Sequence, residues 1–292
     1  MAEELAKQTL SFETHDGLIL KADAYGDRDN PGVLFAHGGG QTRHAWGNTA
    51  KYLAARGWYA LTLDLRGHGE SGWSPDGHYE MDFFVDDLRR VASSFKSPPA
   101  AVGASLGGIT SMLAEGGDDK SYFSAVVLVD IAPRIEQVGV DHIAEFMRNK
   151  LEEGFGSLEE VARAVADYLP QRKRSSNPES LRKNVRLCED GRFRWHWDPQ
   201  VMGGKISGRE DSERQDTDFE LRERAAANIK VPTMLVRGKM SDVVSDRAVE
   251  EFLALVPHAK YVNVAGAGHM VAGDQNDVFS GYVVEFLDTV SG

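Results

Sequence analysis

Residues Ala100-Ala101-Val102-Gly103-Ala104-Ser105-Leu106-Gly107-Gly108 carry a short apolar run into a serine with a glycine two positions before it and another two after. An apolar helical pattern follows at once. The stretch reads as strand, sharp turn and helix, with Gly-x-Ser-x-Gly at the turn. A turn of this kind strains the backbone and holds the serine oxygen out at the end of the strand. Small residues are needed because neighbouring backbone passes close to it. In a chain with 30 glycines five letters carry little weight alone. The strand before and the helix after give them meaning, and a catalytic reading then requires a base, an acid and an oxyanion site elsewhere.

Upstream, Thr9–Glu13 and Leu18–Ala24 read as strands around the turn His15-Asp16-Gly17. Pro31–Ala36 and Trp58–Leu65 are apolar strands that end in His37-Gly38-Gly39-Gly40-Gln41 and Asp64-Leu65-Arg66-Gly67-His68-Gly69-Glu70-Ser71. Helical spacing covers His44–Arg56 and Tyr79–Phe95. Downstream, Ser124–Ile131 is a β-branched strand. Strand and helix patterns resume at Val231–Val236, Asp246–Leu255 (with Asp246 as its cap), Ala259–Val264 and Asp277–Val290. Strands alternating with helices predict an α/β fold, a parallel sheet with helices on both faces, and ligands at the carboxyl ends of its strands.

Between Arg134 and Lys230 the strand pattern stops. Helical spacing appears over Gly139–Leu151, Leu158–Tyr168 and Pro178–Leu187, and Arg209–Asp218 is almost wholly polar. About a hundred residues is too long for one crossover connection. The expected organisation is a core of residues 1–133 and 231–292 with a helical cap inserted at 134–230.

The chain of 292 residues is 41% hydrophobic with a net charge of -12. That length suits one large domain with an insertion. The acidity argues against nucleic acid or an anionic membrane as partner. The single cysteine, Cys188, excludes an internal disulfide framework, is expected to be a buried small residue, and suits a reducing compartment. The polar start Met1–Lys7 lacks a signal-peptide pattern, so a cytoplasmic location is expected. The nine histidines show no metal-ligand spacing, and no metal or cofactor is expected. The oligomeric state stays open, a homodimer included.

A serine hydroxyl attacks only if a base takes its proton, and the base needs a carboxylate to hold its tautomer. His269 stands in a glycine-rich loop after the last strand, and Asp242 follows the strand before it. The order Ser105, Asp242, His269 is the one expected of this architecture. Asp130, at the end of the strand after Ser105, is the alternative acid. Aromatic and apolar candidates to line the pocket are Trp46 and Met270 from the body, with His142, Phe146, Trp195 and Trp197 from the insertion. The run Trp195-His196-Trp197-Asp198-Pro199 could equally pack the insertion onto the body.

These pieces together resemble the α/β-hydrolase superfamily over nearly the whole chain. The likeness is strongest to its capped branch of esterases, lactonases, epoxide-hydrolase-like proteins and cofactor-free haloperoxidases. The matching residues are His37-Gly38-Gly39, Asp64-x-Arg66-Gly67-His68-Gly69-x-Ser71, Gly103-x-Ser105-x-Gly107 and Gly268-His269. The resemblance implies a mostly parallel, eight-stranded sheet, Ser105 as nucleophile and His269 as base. It implies an oxyanion hole formed by the amides of Gly39 and Leu106, a loop shaped by His37, and a buried network of Asp64, Arg66 and His68. Epoxide hydrolases and haloalkane dehalogenases carry aspartate at the nucleophile position, so Ser105 argues against both chemistries. The expected activity is cleavage of a small to medium, apolar or aromatic ester or lactone through an acyl-enzyme. C–C bond hydrolysis of a diketone, perhydrolysis, and ligand binding without turnover are the alternatives.

Overall fold

A computed structural model describes residues 6–168, 178–204, 212–269 and 276–290. The chain builds ten strands in the described residues. They are β1 (Gln8–Glu13), β2 (Ile19–Tyr25), β3 (Gly32–Ala36), β4 (Tyr59–Leu63), β5 (Ala100–Ala104), β6 (Ala125–Val129), β7 (Val185–Leu187), β8 (Phe193–Trp195), β9 (Thr233–Gly238) and β10 (Lys260–Val264). Eight of them form one sheet in the order β1-β2-β4-β3-β5-β6-β9-β10. Strand β2 runs antiparallel to both β1 and β4, and every other pairing is parallel. The α/β architecture with a mostly parallel eight-stranded sheet is therefore present.

Alternation along the central strands divides the core in two, because successive side chains point to opposite faces. Leu34, Ala101, Val126, Leu128 and Leu235 face one side, with helices α2 (Met81–Ala92), α3 (Leu106–Gly116), α7 (Ser212–Asn228) and α8 (Asp246–Leu255). Val33, Phe35, Val102, Val127 and Val236 face the other, with α1 (Gly47–Ala54) and α9 (Ser280–Val290). Both faces are covered, which is why these strands are near-continuous apolar runs. Among the described residues no helix is long and apolar enough to cross a membrane.

The segment between β6 and β9 has its own small core. Helices α4 (Gln137–Arg148) and α5 (Leu158–Tyr168) bury Phe146, Met147, Leu158 and Val161 against Phe155, Leu181, Trp195 and Trp197. Two features depart from the sequence reading. Pro178–Leu187 is not one helix: a 3-10 turn, Pro178–Asn184, runs into the hairpin β7–β8. Short α6 (Pro199–Gly204) follows the hairpin. Helix α7, inside the stretch expected as the insertion, packs its last turns on α3, with Ala225, Ala226 and the following Ile229 in the sheet core. The signal for this contact is small residues on both sides, Gly116 facing Ala225. Two smaller readings also change. Cys188 is half-buried, and the cap of α8 is Ser245, whose side chain accepts from the Ala248 amide, while Asp246 pairs with Arg237.

A β-carbon at Gly116 would lie 1.8 Å from the carbonyl oxygen of Ala225. Neither backbone can yield without parting the helices, so Gly116→Ala is expected to cost about 1–3 kcal/mol or more. A lowered urea midpoint in chemical denaturation checks this; an unchanged midpoint would contradict the contact.

Candidate active site

The turn at Ser105 is crowded from three sides. A β-carbon on Gly103 would meet the Gly107 carbonyl oxygen at 2.3 Å, one on Gly107 would meet the Ala36 carbonyl oxygen at 2.5 Å, and one on Gly108 would meet the Ile131 side chain at 2.4 Å. Glycine at these positions lets α3 start directly against β3 and β5. Ser105 itself takes φ 46°, ψ −115°, a left-handed conformation that costs a non-glycine residue about 1–3 kcal/mol. The Ser105 amide bonds to the Val129 carbonyl (3.1 Å) and the Gly107 amide to the His37 carbonyl (3.1 Å), so the turn is fastened to the loop after β3.

That loop is held by two buried histidines. His37 donates from Nδ1 to the Gly38 carbonyl (2.8 Å) and accepts the Leu65 amide at Nε2 (3.1 Å). His68 donates from Nδ1 to the Arg66 carbonyl (3.0 Å) and accepts the Gly40 amide at Nε2 (3.2 Å). Each ring must be neutral to accept, and burial keeps it so, pushing His37 down to about 4 and His68 to about 3. Gly38 closes on Ser105, whose β-carbon lies 3.4 Å from where a Gly38 β-carbon would sit. Among the described residues neither the Gly39 nor the Leu106 amide donates to a protein acceptor.

Asp64, Arg66 and His68 do not form a single network. Asp64 pairs with Arg43 and accepts the amides of Arg43 (2.6 Å) and Glu70 (2.9 Å). Arg66 makes a two-pronged bond to Asp87 (2.7 and 2.8 Å) and reaches Asp16 (3.0 Å). Among the described residues His68 bonds only to backbone, the Arg66 carbonyl and the Gly40 amide. Residues two positions apart in the sequence therefore serve different partners.

His269, 5% exposed, sits between two of the expected residues. Its Nε2 lies 3.1 Å from Ser105 Oγ and its Nδ1 lies 2.8 Å from an Asp130 carboxylate oxygen, Oδ2. With the proton on Nδ1 donated to Asp130, Nε2 is left to accept from the serine hydroxyl. The expectation that Asp242 partners His269 is thus corrected. The Asp242 carboxylate, partly exposed, meets His142 Nδ1 at 3.1 Å. The reason lies in the turn after β9. Met240 and Ser241 bond back to Ala267 and Gly238 (2.9 Å each), and Asp130 fills the space this leaves, accepting the Gly238 amide (3.0 Å) and the Ser241 hydroxyl (2.8 Å).

The pocket-lining candidates divide. Trp46 is corrected: it lies fully buried on the α1 side of the sheet, packed on Phe35, with its indole N–H donated to the Ala36 carbonyl at 3.2 Å. His142 is exposed and engaged with Asp242. Trp195 stacks on Trp197 (4.9 Å between centroids) and touches Phe146 and Phe155, deep in the insertion core. Phe146 packs on Tyr168 as well. Trp197 lies beside Gly40. Met270 lies outside the described residues. Backbone bonds from Gly69 to His196 and from Asp198 to Gly67, each 2.7 Å, together with the Tyr79 hydroxyl on Asp198 (2.6 Å), fasten the Trp195–Asp198 run to the body. Two residues escaped the sequence reading. Met147, whose sulfur lies 3.9 Å from the β-carbon position of Gly39, follows Ile143 at helical spacing and was legible in principle. Ser241 carried no signal.

The arrangement defines a class: a sheet with a serine turn, a histidine and an aspartate gathered at its carboxyl edge. The profile of the alpha/beta hydrolase family matches residues 33–281, and the chain belongs to that family. It is 31% identical over 269 residues to the esterase Rv0045c of Mycobacterium tuberculosis, a match covering 89% of this chain and 83% of that protein. To the sn-1-specific diacylglycerol lipase ABHD11 of Mus musculus it is 29% identical over 269 residues, covering 90% and 82%. An alpha/beta hydrolase structure from Novosphingobium aromaticivorans superposes with a TM-score of 0.78 at 22% identity over 99% of both chains, a likeness of fold.

The pairing of His269 is open to direct measurement. Asp130→Asn is expected to shift or abolish the downfield proton resonance of the His269 Nδ1–H in NMR spectra. Asp242→Asn is expected to leave it in place; the reverse pattern would restore Asp242 as the partner.

Proposed function

We propose that this chain is a serine hydrolase that cleaves a small to medium carboxylic ester or lactone of apolar or aromatic character through an acyl-enzyme. The observation that carries the reading is the continuous chain Ser105 Oγ to His269 Nε2 and His269 Nδ1 to Asp130, at 3.1 and 2.8 Å. Ser105 attacks the carbonyl carbon while His269 takes its proton, and Asp130 stabilises the imidazolium. The charge that forms on the carbonyl oxygen meets the unengaged amides of Gly39 and Leu106. His269 then returns the proton to the leaving alcohol, and a water activated by the same histidine releases the acid.

The insertion serves as a cap in this reading. Met147 and Trp197, buried in the insertion's core, pack beside Gly39 and Gly40, so the oxyanion loop has apolar neighbours, which favours an apolar substrate. Ester cleavage is also what the names of two relatives matched over most of this chain, the esterase and the diacylglycerol lipase, state of those proteins.

Hydrolysis of p-nitrophenyl esters tests the reading. Ser105→Ala is expected to abolish turnover and labelling by a fluorophosphonate, and an active Ser105→Ala protein would sink the proposal. Asp130→Asn is expected to lower kcat by about 10³–10⁴, the scale set by loss of the acid in a serine–histidine–aspartate set. Asp242→Asn should keep most of the activity.

A further inference from the structure

Asp130 is held by more than the histidine it supports. Its Oδ1 accepts the Gly238 amide at 3.0 Å, and its Oδ2, the oxygen that faces His269, also contacts Ser241 Oγ at 2.8 Å. The sense of the serine bond follows from the other contacts of that hydroxyl. Ser241 Oγ receives the amides of Val243 and Val244, each at 3.2 Å. A hydroxyl has one proton and two acceptor positions. An amide N–H can only donate, so both acceptor positions are used and the single proton of Ser241 is directed to Asp130.

Resting on the serine-hydrolase reading above, we propose that Ser241 is a positioning residue for the Asp130–His269 pair. Its hydroxyl has two effects on the carboxylate. It holds Oδ2 while the Gly238 amide holds Oδ1, so that Oδ2 stays on His269 Nδ1. It also draws off part of the negative charge on Oδ2, so the carboxylate stabilises the imidazolium less than it would without the hydroxyl. The same two amide bonds to Ser241 shape the turn that carries Asp242 toward His142. One hydroxyl therefore helps to decide which of two aspartates at neighbouring strand ends supports the histidine. Of the other charged groups around this turn, Asp242 is engaged with His142 and Arg237 with Asp246 and the Val244 carbonyl, while Lys239 is exposed.

The test compares Ser241→Ala and Ser241→Thr with the unaltered protein in pH profiles of kcat and kcat/KM for a p-nitrophenyl ester. Loss of a hydrogen bond to a charged group is expected to lower kcat about ten- to a hundredfold, with KM little changed. The acidic limb of kcat/KM is expected to move to higher pH in the alanine variant. Threonine, which keeps the hydroxyl, should restore both. If the alanine variant does not fold, Ser241→Cys, a weak donor of similar volume, should show the same displacement of the limb. A limb that stays in place in the folded alanine or cysteine variant, or a folded threonine variant no better than alanine, would overturn the positioning role. Activity in Ser105→Ala would instead remove the serine-hydrolase reading, whatever Ser241 does, so the two failures are told apart.

Discussion

Steric crowding at the junction of β5 and α3 is the constraint from which the rest of the site follows. Gly103 and Gly107 lie against backbone, and Gly108 against both the Ile131 side chain and the Gly103 carbonyl, where no β-carbon fits. The helix can therefore start within one residue of the strand's end. That closeness forces Ser105 into a left-handed conformation and aims its side chain along the carboxyl edge of the sheet. It also brings the Gly107 amide onto the His37 carbonyl. The loop after β3 is then held at a fixed distance from the serine, and Asp130 and His269 arrive from neighbouring strand ends.

Electrostatically, the buried arginines near the site are each paired with carboxylates of their own. Arg43 and Arg66 are neutralised by Asp64 and Glu70 and by Asp87 and Asp16. The two histidines packed edge to face near the serine, 5.1 Å between centroids, are depressed by burial and act as neutral hydrogen-bond bridges. They order backbone, a role for which a charged ring would be useless because it could not accept an amide proton. His269 differs from both in having a carboxylate at one nitrogen and a hydroxyl at the other. Nearly identical side chains thus take different parts because their partners differ.

The segment between β6 and β9 reaches the site with a core of its own. Its stacked tryptophans are mainly structural: Trp195 fills the interior, and the backbone around Trp197 is laced to the Gly67–Gly69 turn. Met147 and Trp197, both buried in that core, pack against the loop after β3 at Gly39 and Gly40.

Much of this was legible in the sequence. The strand and helix order, the serine turn, the histidine in the last glycine-rich loop and the family resemblance all follow from local pattern, because apolar periodicity and glycine placement are set residue by residue. The carboxylate partner of His269 was not legible in this way. Asp130 and Asp242 each follow a strand of the same sheet, and chain order favoured the second. Trp46 likewise carries no mark of the sheet face it will join. The partner of His269 was decided by the tertiary structure, because the turn after β9 directs an amide and a hydroxyl at Asp130 and turns Asp242 out to His142. A contact between residues more than a hundred positions apart depends on the path of the backbone between them, and no local pattern encodes that path.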